Sequence, residues 1–293
     1  MLEMSKLAGV VIAGLAAGLL ACAPPEIYGP CAFDTNAMSF AGDAKAQARC
    51  LLRPVLPWKQ LGPARQRLPE VLEQLIDARP PLRKAAFRAY LSRQGLTEAE
   101  VGGFLDRRLS RSHGDTLWAL PARYFVLHDT STPHLGDAPF PADLDGDPRI
   151  NRLAYYRKDE AAAHAFVNRR GEVYLGHDFQ EAWRATKLEL NRHVGESAKG
   201  LFLHVELTQP RRRHPDGNSQ NDALAPVPGF SRLQYRRAAE LYIAASLRAG
   251  RGLIPAFHAV MDKGFADGHD DPQNFDLDAW AAEIDAVLRE ARP

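Results

Sequence analysis

The chain has 293 residues, of which 45% are hydrophobic and 25% are charged, and its 37 lysines and arginines nearly balance its 36 aspartates and glutamates. This composition excludes a disordered, collagen-like or polytopic membrane protein and leaves room for one large domain or two modest ones. The formal net charge of +1 also argues against a protein that coats nucleic acid, because neutralising phosphates requires a surplus of cations.

The amino-terminal residues are typical of an export signal, and we predict a signal peptide over residues 1–21. An uncharged run of 15 apolar and small residues, 7–21, is too short for a membrane-spanning helix but suits the apolar part of a signal peptide. It ends Leu-Leu-Ala before Cys22, which resembles the bacterial lipobox. The resemblance implies cleavage before Cys22 and a diacylglycerol on its thiol, and Ala23 implies sorting to the outer membrane, facing the periplasm. The alternatives are a simple secretory signal or an amino-terminal anchor.

Three cysteines occur in the chain, and export would leave two of them for pairing. With Cys22 carrying the lipid, Cys31 and Cys50 remain in an oxidising compartment, and we expect a disulfide between them. Two separate thiols are the alternative, which sequence spacing does not exclude.

Two segments precede the larger domain. Residues 22–57 are rich in Pro, Gly and small residues, which predicts a tether with one short helix around 43–52 that holds the body off a membrane. Residues 58–112 carry apolar residues at helical spacing over 68–76 and again around Phe87, which predicts a small helical module. The module has no chemical motif. We expect the module to pack against the rest of the protein. The alternative is that it recruits an envelope protein partner.

From about residue 120 the pattern changes to short β-type runs alternating with helices. Strands are predicted over 123–127, 201–207 and from 253, a hairpin over 164–175, and helices over 231–247 and 277–291. The pattern predicts an α/β domain over 120–293, in which a mixed β-sheet is flanked by helices.

Three polar residues follow strand-like runs in this domain. His128 ends one predicted strand, His258 follows another, and Asp271 precedes Pro272 thirteen residues later. Two neutral imidazoles and one carboxylate would make a three-ligand site with an open fourth position, as hydrolytic Zn²⁺ requires. Their long-range spacing alone does not identify the trio.

Four motifs, in order, give these residues a context. They are Tyr124-Phe-Val-Leu-His128-Asp-Thr, His164-Ala-Phe-Val-Asn-Arg-Arg-Gly171, Val205-Glu206-Leu207, and His258 followed by Asp271-Pro272. The series resembles the zinc-dependent N-acetylmuramoyl-L-alanine amidases of the amidase 2 family, which share their fold with peptidoglycan recognition proteins. The resemblance covers residues 120–282 and not the helical module.

The resemblance implies a ligand set, a base and a reaction. His128, His258 and Asp271 would bind zinc, and Glu206 would be the general base that takes a proton from the attacking water. The substrate would be peptidoglycan or muropeptides, cut between N-acetylmuramic acid and L-alanine. The alternative is a non-catalytic peptidoglycan-binding lipoprotein. Strand geometry supports the place of Glu206, since it shares one strand face with His204.

The motifs depart from the family around the last ligand. The interval from His258 to Asp271 is longer than usual, so the ligand register could instead use Asp270 or His269. His269 stands where the family often has a lysine that stabilises the oxyanion, and we expect it to donate that hydrogen bond. Gln273 replaces the family's glycine after Asp-Pro.

Other polar groups have simpler interpretations. His164 would be structural or line the substrate groove, and five histidines in polar segments would be solvated: His113, His134, His177, His193 and His214. The run Arg211 to Arg213 predicts a solvated loop, or a contact with carboxylates of a peptide stem. Residues 143–148 resemble part of a calcium loop but lack its late glutamate, which favours an acidic turn.

Overall fold

The computed structural model describes residues 29–112, 119–157, 162–216 and 223–292. The predicted signal peptide, the predicted lipidation site at Cys22, and His113 lie outside these ranges. None of the helices within them combines the length and hydrophobicity needed to span a membrane.

Helices and short strands alternate along the described chain. The α-helices are α1 (Ala44–Leu51), α2 (Glu70–Leu75), α3 (Lys84–Arg93), α4 (Lys187–Leu190), α5 (Gly195–Ala198), α6 (Arg232–Ala249), α7 (His258–Asp262) and α8 (Leu277–Glu290). The strands are β1 (Phe33–Asp34), β2 (Ser39–Phe40), β3 (Val55–Leu56), β4 (Gln60–Leu61), β5 (Tyr124–Asp129), β6 (Ala165–Val167), β7 (Val173–Leu175), β8 (Phe202–Leu207), β9 (Arg212–Arg213), β10 (Ala223–Leu224) and β11 (Ile254–Phe257).

A five-stranded sheet with the order β11-β5-β8-β6-β7 forms the centre of the fold. Neighbours among the first four strands run parallel, and β7 pairs antiparallel with β6. All six residues of β5 are buried, as expected where both faces of a parallel strand are covered. The predicted α/β class, a mixed sheet flanked by helices, is confirmed.

The two long helices α6 and α8 cover one face of the sheet. The Phe125 ring of β5 lies 5.4 Å from Tyr242 of α6 and 6.4 Å from Trp280 of α8, centroid to centroid. Helix α6 begins where the sequence predicts, because the Ser231 hydroxyl accepts the Gln234 N–H and the Gln234 side chain returns to the Ser231 N–H.

The amino-terminal segment 29–57 packs on the opposite face. The Tyr124 ring lies 5.4 Å from Phe40, and its hydroxyl accepts the Phe40 N–H (3.1 Å) and donates to Gln47 Oε1 (2.8 Å). A disulfide joins Cys31 to Cys50 within this segment. Helix α1 lies where a helix was expected, but the segment differs from an extended tether because its aromatic side chains are buried against the sheet.

Residues 58–112 contain α2, α3 and a short 3₁₀ helix, and they share one hydrophobic core with the sheet and its helices. The Tyr90 hydroxyl donates to Glu240 of α6. The Arg248 guanidinium, also on α6, donates to the carbonyl oxygens of Gly102, Arg107 and Arg108. These buried polar contacts fix the segment against α6.

Candidate metal centre and pocket

The carboxyl ends of three parallel strands place three polar side chains in a row. His128 of β5 pairs in register with Glu206 of β8, and Leu127 pairs with Phe257, so that His258 follows directly at the start of α7. Parallel strands end at the same edge of a sheet, which is where ligands bind in open α/β sheets.

The two imidazoles meet the Asp271 carboxylate at this edge. The Nδ1 atoms of His128 and His258 lie 2.9 Å apart, Asp271 Oδ1 lies 3.0 Å from the His258 Nδ1, and Asp271 Oδ2 lies 3.8 Å from the His128 Nδ1. A tetrahedral zinc ion with bonds near 2 Å would separate its ligand atoms by about 3.3 Å. All three residues are buried, and together they form a group that could hold a metal ion.

The electrostatics of the trio suit a cation. Burial and the imidazoles of His258 and His204 lower the pKa of His128 well below its usual value, so its ring is neutral, as a metal ligand must be. Burial alone would raise the pKa of Asp271, but His258 outweighs it and lowers that pKa. Burial likewise opposes charge on His258, yet Asp271 and Asp262 raise its pKa well above the usual value. The Asp271 and Asp262 carboxylates thus favour positive charge at His258, as they would favour a cation beside it.

The loop that carries Asp271 is fixed by a buried ion pair. Asp129 N–H donates to Asp271 Oδ2 (3.0 Å), and Ala259 N–H donates to the Asp271 carbonyl oxygen (2.8 Å). Arg211 Nη2 donates to Asp129 Oδ2 (2.6 Å), with Arg211 1% exposed. The expectation of a solvated loop is therefore wrong at Arg211, since the Asp129 carboxylate at the strand end offers it a buried partner.

Of the two alternative ligands, Asp270 lies apart from the trio, whereas His269 contacts His258 and forms with His258 and Asp262 a second group that could hold a metal ion. Asp270 Oδ2 accepts a hydrogen bond from Gln273 (2.8 Å) and its Oδ1 lies 3.8 Å from Arg211, away from the two histidines. His269 Nδ1 lies 3.4 Å from His258 Nδ1 and 4.0 Å from Asp271 Oδ1, and its side chain is 54% exposed. Partial burial and His258 lower the pKa of His269, so a neutral ring would donate from one nitrogen only.

Glu206 faces the same point from the next strand. Its Oε1 lies 3.8 Å from His128 Nδ1, and its side chain is 15% exposed. Burial and the Asp271 carboxylate raise the pKa of Glu206 well above its usual value. Its Oε2 has no hydrogen-bond partner among the described residues. A buried carboxylate with an unpaired oxygen beside the site is suited to accept a proton.

Three further polar residues at the site were not predicted as such. Asp262 Oδ2 lies 2.8 Å from His258 Nε2, His204 Nδ1 lies 3.1 Å from His128 Nε2, and Glu189 Oε2 lies 3.2 Å from His204 Nε2. The spacing of four between His258 and Asp262 is a helical signal that could have identified Asp262. No signal in the sequence links Glu189 to the site.

A cavity of about 610 Å³ opens above the trio. Lys59, Arg184 and Lys187 bring positive charge to its lining, and Trp183 and Leu190 bring apolar surface. Lys59 comes from the β3–β4 turn, so the amino-terminal part of the chain contributes to the wall.

The remaining candidates lie outside the cavity or on its rim. His164 is fully buried: its Nδ1 accepts the His204 N–H (3.0 Å), and its Nε2 lies 3.1 Å from the Glu181 carbonyl oxygen. His164 thus has a structural role behind the candidate metal centre. His134 is exposed and lines the cavity, while the Asp143 carboxylate accepts the Gly146 N–H in an acidic turn.

Comparisons with known proteins add little. No protein-family model matches the chain, and no curated protein matches it. Among solved structures, the chain is similar to the crystal structure of a selenomethionine derivative of AmpD, with a TM-score of 0.34 and 16% identity, over 76% of this chain and 99% of that one. A likeness at this score carries no functional argument.

Proposed function

We propose that the chain is a zinc-dependent N-acetylmuramoyl-L-alanine amidase acting on peptidoglycan or muropeptides. The observation that carries the proposal is the convergence of His128, His258 and Asp271, with Glu206 beside them, at one edge of a parallel sheet. These four residues occupy the motif positions through which the sequence resembles the amidase 2 family.

The donor set suits zinc better than magnesium or calcium, because it offers two imidazole nitrogens and one carboxylate. A zinc ion held by this set would supply Lewis-acid chemistry, polarising a carbonyl and activating water near neutral pH. Glu206 would accept the proton of the attacking water and pass it to the departing amine. His269, at the mouth of the site, would donate a hydrogen bond to the oxyanion.

The cavity lining supports an acidic peptide as the substrate. Lys59 and Lys187 line the cavity together with the carboxylates of the site itself, and neither lysine is in an ion pair among the described residues. A stem peptide carries carboxylates along its length, so these cations would hold it beside the scissile amide. The complete ligand set favours an enzyme over the alternative of a binding protein.

The deciding experiment incubates the purified full chain, in detergent, with purified sacculi. We expect release of stem peptides, loss of that release with a chelator, its return with Zn²⁺, and its loss in Glu206→Ala. Glu70→Ala, on α2 and away from the cavity, is the control and should cleave normally. Cleavage that neither the chelator nor Glu206→Ala changes would reject the mechanism, and binding without cleavage would favour the recognition protein.

We also propose that the protein is held at the outer membrane, facing the periplasm, through a lipid on Cys22. The support is the lipobox-like sequence before that residue. Cells fed labelled palmitate should label the wild type and Cys31→Ala but not Cys22→Ala, which should leave the membrane fraction. Label on Cys22→Ala would refute the anchor.

A further inference from the structure

We propose that Glu189 and His204 are positioning residues that keep the proton of His128 on Nε2 and so leave its Nδ1 lone pair for the metal ion. The inference rests on the metal site of the proposed function. It assigns a role to two buried polar residues that the cleavage mechanism does not use.

The three side chains form one line through the interior. His128 Nε2 lies 3.1 Å from His204 Nδ1, and His204 Nε2 lies 3.4 Å from Glu189 Oε1, with Glu189 Oε2 at 3.2 Å. His204 and Glu189 are 0% exposed and His128 is 1% exposed, so water does not compete for these contacts. Buried polar groups at such distances are hydrogen-bonded.

The direction of the hydrogen bonds follows from the donors around Glu189. The Thr186 hydroxyl donates to Glu189 Oε2 (2.9 Å), and the Ala185 N–H points to the same oxygen (3.2 Å). A carboxylate surrounded by donors acts as an acceptor, so the proton in its contact with His204 belongs to His204 Nε2. When His204 has its proton on Nε2, its Nδ1 accepts through a lone pair, and the proton between the two histidines belongs to His128 Nε2. His128 Nδ1 is consequently unprotonated and faces the cation site.

The other ligand histidine also has a buried carboxylate beside its second ring nitrogen, here at ion-pair distance. His258 presents Nδ1 to the site, and its Nε2 lies 2.8 Å from Asp262 Oδ2. Asp262 Oδ1 accepts the Lys187 N–H at the start of α4 (2.7 Å), and Glu189 lies in the same helix. One short segment, 185–189, therefore fixes a carboxylate behind each ligand histidine. Such partners set the tautomer and orientation of metal-binding imidazoles.

The opposite direction is chemically possible and makes the proposal testable. If Glu189 were protonated, it would donate to His204 Nε2, His204 Nδ1–H would donate to His128 Nε2, and His128 would carry its proton on Nδ1. That tautomer cannot bind the ion through Nδ1. Glu189→Gln has the same shape and can adopt either direction through its amide oxygen or nitrogen, so it removes the bias without removing volume.

The test measures zinc affinity by competition with a chromophoric chelator, using the full chain in detergent. We expect Glu189→Gln to weaken zinc binding about 10- to 100-fold, as for other partners of metal-binding imidazoles. Glu240→Gln is the matched control: Glu240 is also a buried glutamate, but it contacts Tyr90 and Arg237 away from the site, and its variant should bind zinc as the wild type does. Wild-type affinity in Glu189→Gln would overturn the proposal.

A second measurement keeps the proposal testable if the variant fails to fold. Long-range ¹H–¹⁵N NMR spectra of the zinc-loaded wild type should show His128 protonated at Nε2 and His204 protonated at Nε2. A proton on His204 Nδ1 would refute the proposed direction of the hydrogen bonds from His128 through His204 to Glu189. If the protein binds zinc with these tautomers but does not cleave sacculi, the roles of Glu189 and His204 are supported. The proposed amidase activity is then rejected.

Discussion

The imidazoles of His128 and His258 face each other through their Nδ1 atoms at 2.9 Å, with the Asp271 carboxylate beside both. Such an approach of two ring nitrogens is favourable only around a shared proton or cation. We therefore expect zinc at 100 times its Kd to raise the free energy of unfolding by about 2.7 kcal/mol, seen as a higher Tm. His258→Ala should abolish the shift. Equal zinc shifts in the wild type and the variant would contradict the site.

Glu206 should matter for turnover and not for metal affinity. Glu206→Gln keeps the side-chain shape but cannot accept the proton, so we expect kcat to fall by about 10²- to 10⁴-fold. Zinc affinity should stay within a few-fold of the wild type, because Glu206 Oε1 lies 3.8 Å from His128 Nδ1 and outside the His-His-Asp group. A large loss of zinc would instead make Glu206 a ligand.

One pair of variants distinguishes two roles for His269, a hydrogen-bond donor to the oxyanion or a fourth metal ligand. As a donor, its loss in His269→Ala should lower kcat by about 10²- to 10³-fold with zinc affinity unchanged. His269→Lys should restore part of the rate, since an ammonium group donates hydrogen bonds. Loss of zinc in His269→Ala would show that His269 binds the ion.

Gly252 tests the attachment of residues 58–112 to the sheet. A Cβ on Gly252 would lie 1.9 Å from the Leu75 carbonyl oxygen, where Gly252 exchanges backbone hydrogen bonds with Asp77 and Ala78. We expect Gly252→Ala to lower the free energy of unfolding by about 1 to 3 kcal/mol in urea titrations. The control Gly146→Ala should cost less, because its Cβ meets the Asp143 side chain, which can move. Equal losses of unfolding free energy in Gly252→Ala and Gly146→Ala would mean that the backbone around Leu75 moves aside as easily as the Asp143 side chain.

The buried hydroxyl of Tyr124 should make the stability of the protein depend on pH in the alkaline range. Burial raises the pKa of its hydroxyl to about 12, above the value of about 10 expected in the unfolded chain. Its stabilisation is therefore complete below pH 10 and is lost as pH rises towards 12. Tyr124→Phe should cost about 1 to 3 kcal/mol at neutral pH, since Gln47 Oε1 loses its donor, and should flatten the decline between pH 10 and 12. Urea titrations across that range measure the free energy of unfolding. If it falls as steeply in the variant as in the wild type, the decline does not come from Tyr124.

The sequence predicts the central sheet and long helices well because their patterns are local. Strands β5 and β8 are rich in apolar residues, and α6 begins at a capping box that is readable in the sequence. His258 begins α7 directly behind β11, and this helix is what brings Asp262 to it.

The buried polar partners of the site are not readable in this way. Glu189 lies 15 positions from His204, and the two meet only because the fold brings the Glu189 side chain of α4 to the buried His204 side chain of β8. Arg211 belongs to a run of three arginines that is typical of a solvated loop, and its burial depends on a carboxylate 82 positions away. Desolvation of a charge is a property of the assembled fold, so local composition does not predict it.

His128 and His258 lie 130 positions apart along the chain, and the Asp271 carboxylate lies 13 positions beyond the second of them. The three groups meet only because β5 and β11 pair and the loop after α7 folds back onto the end of β5. A site assembled in this way forms with the fold and is lost with it. Release of an ion bound there would therefore report the separation of β5 from β11 during unfolding.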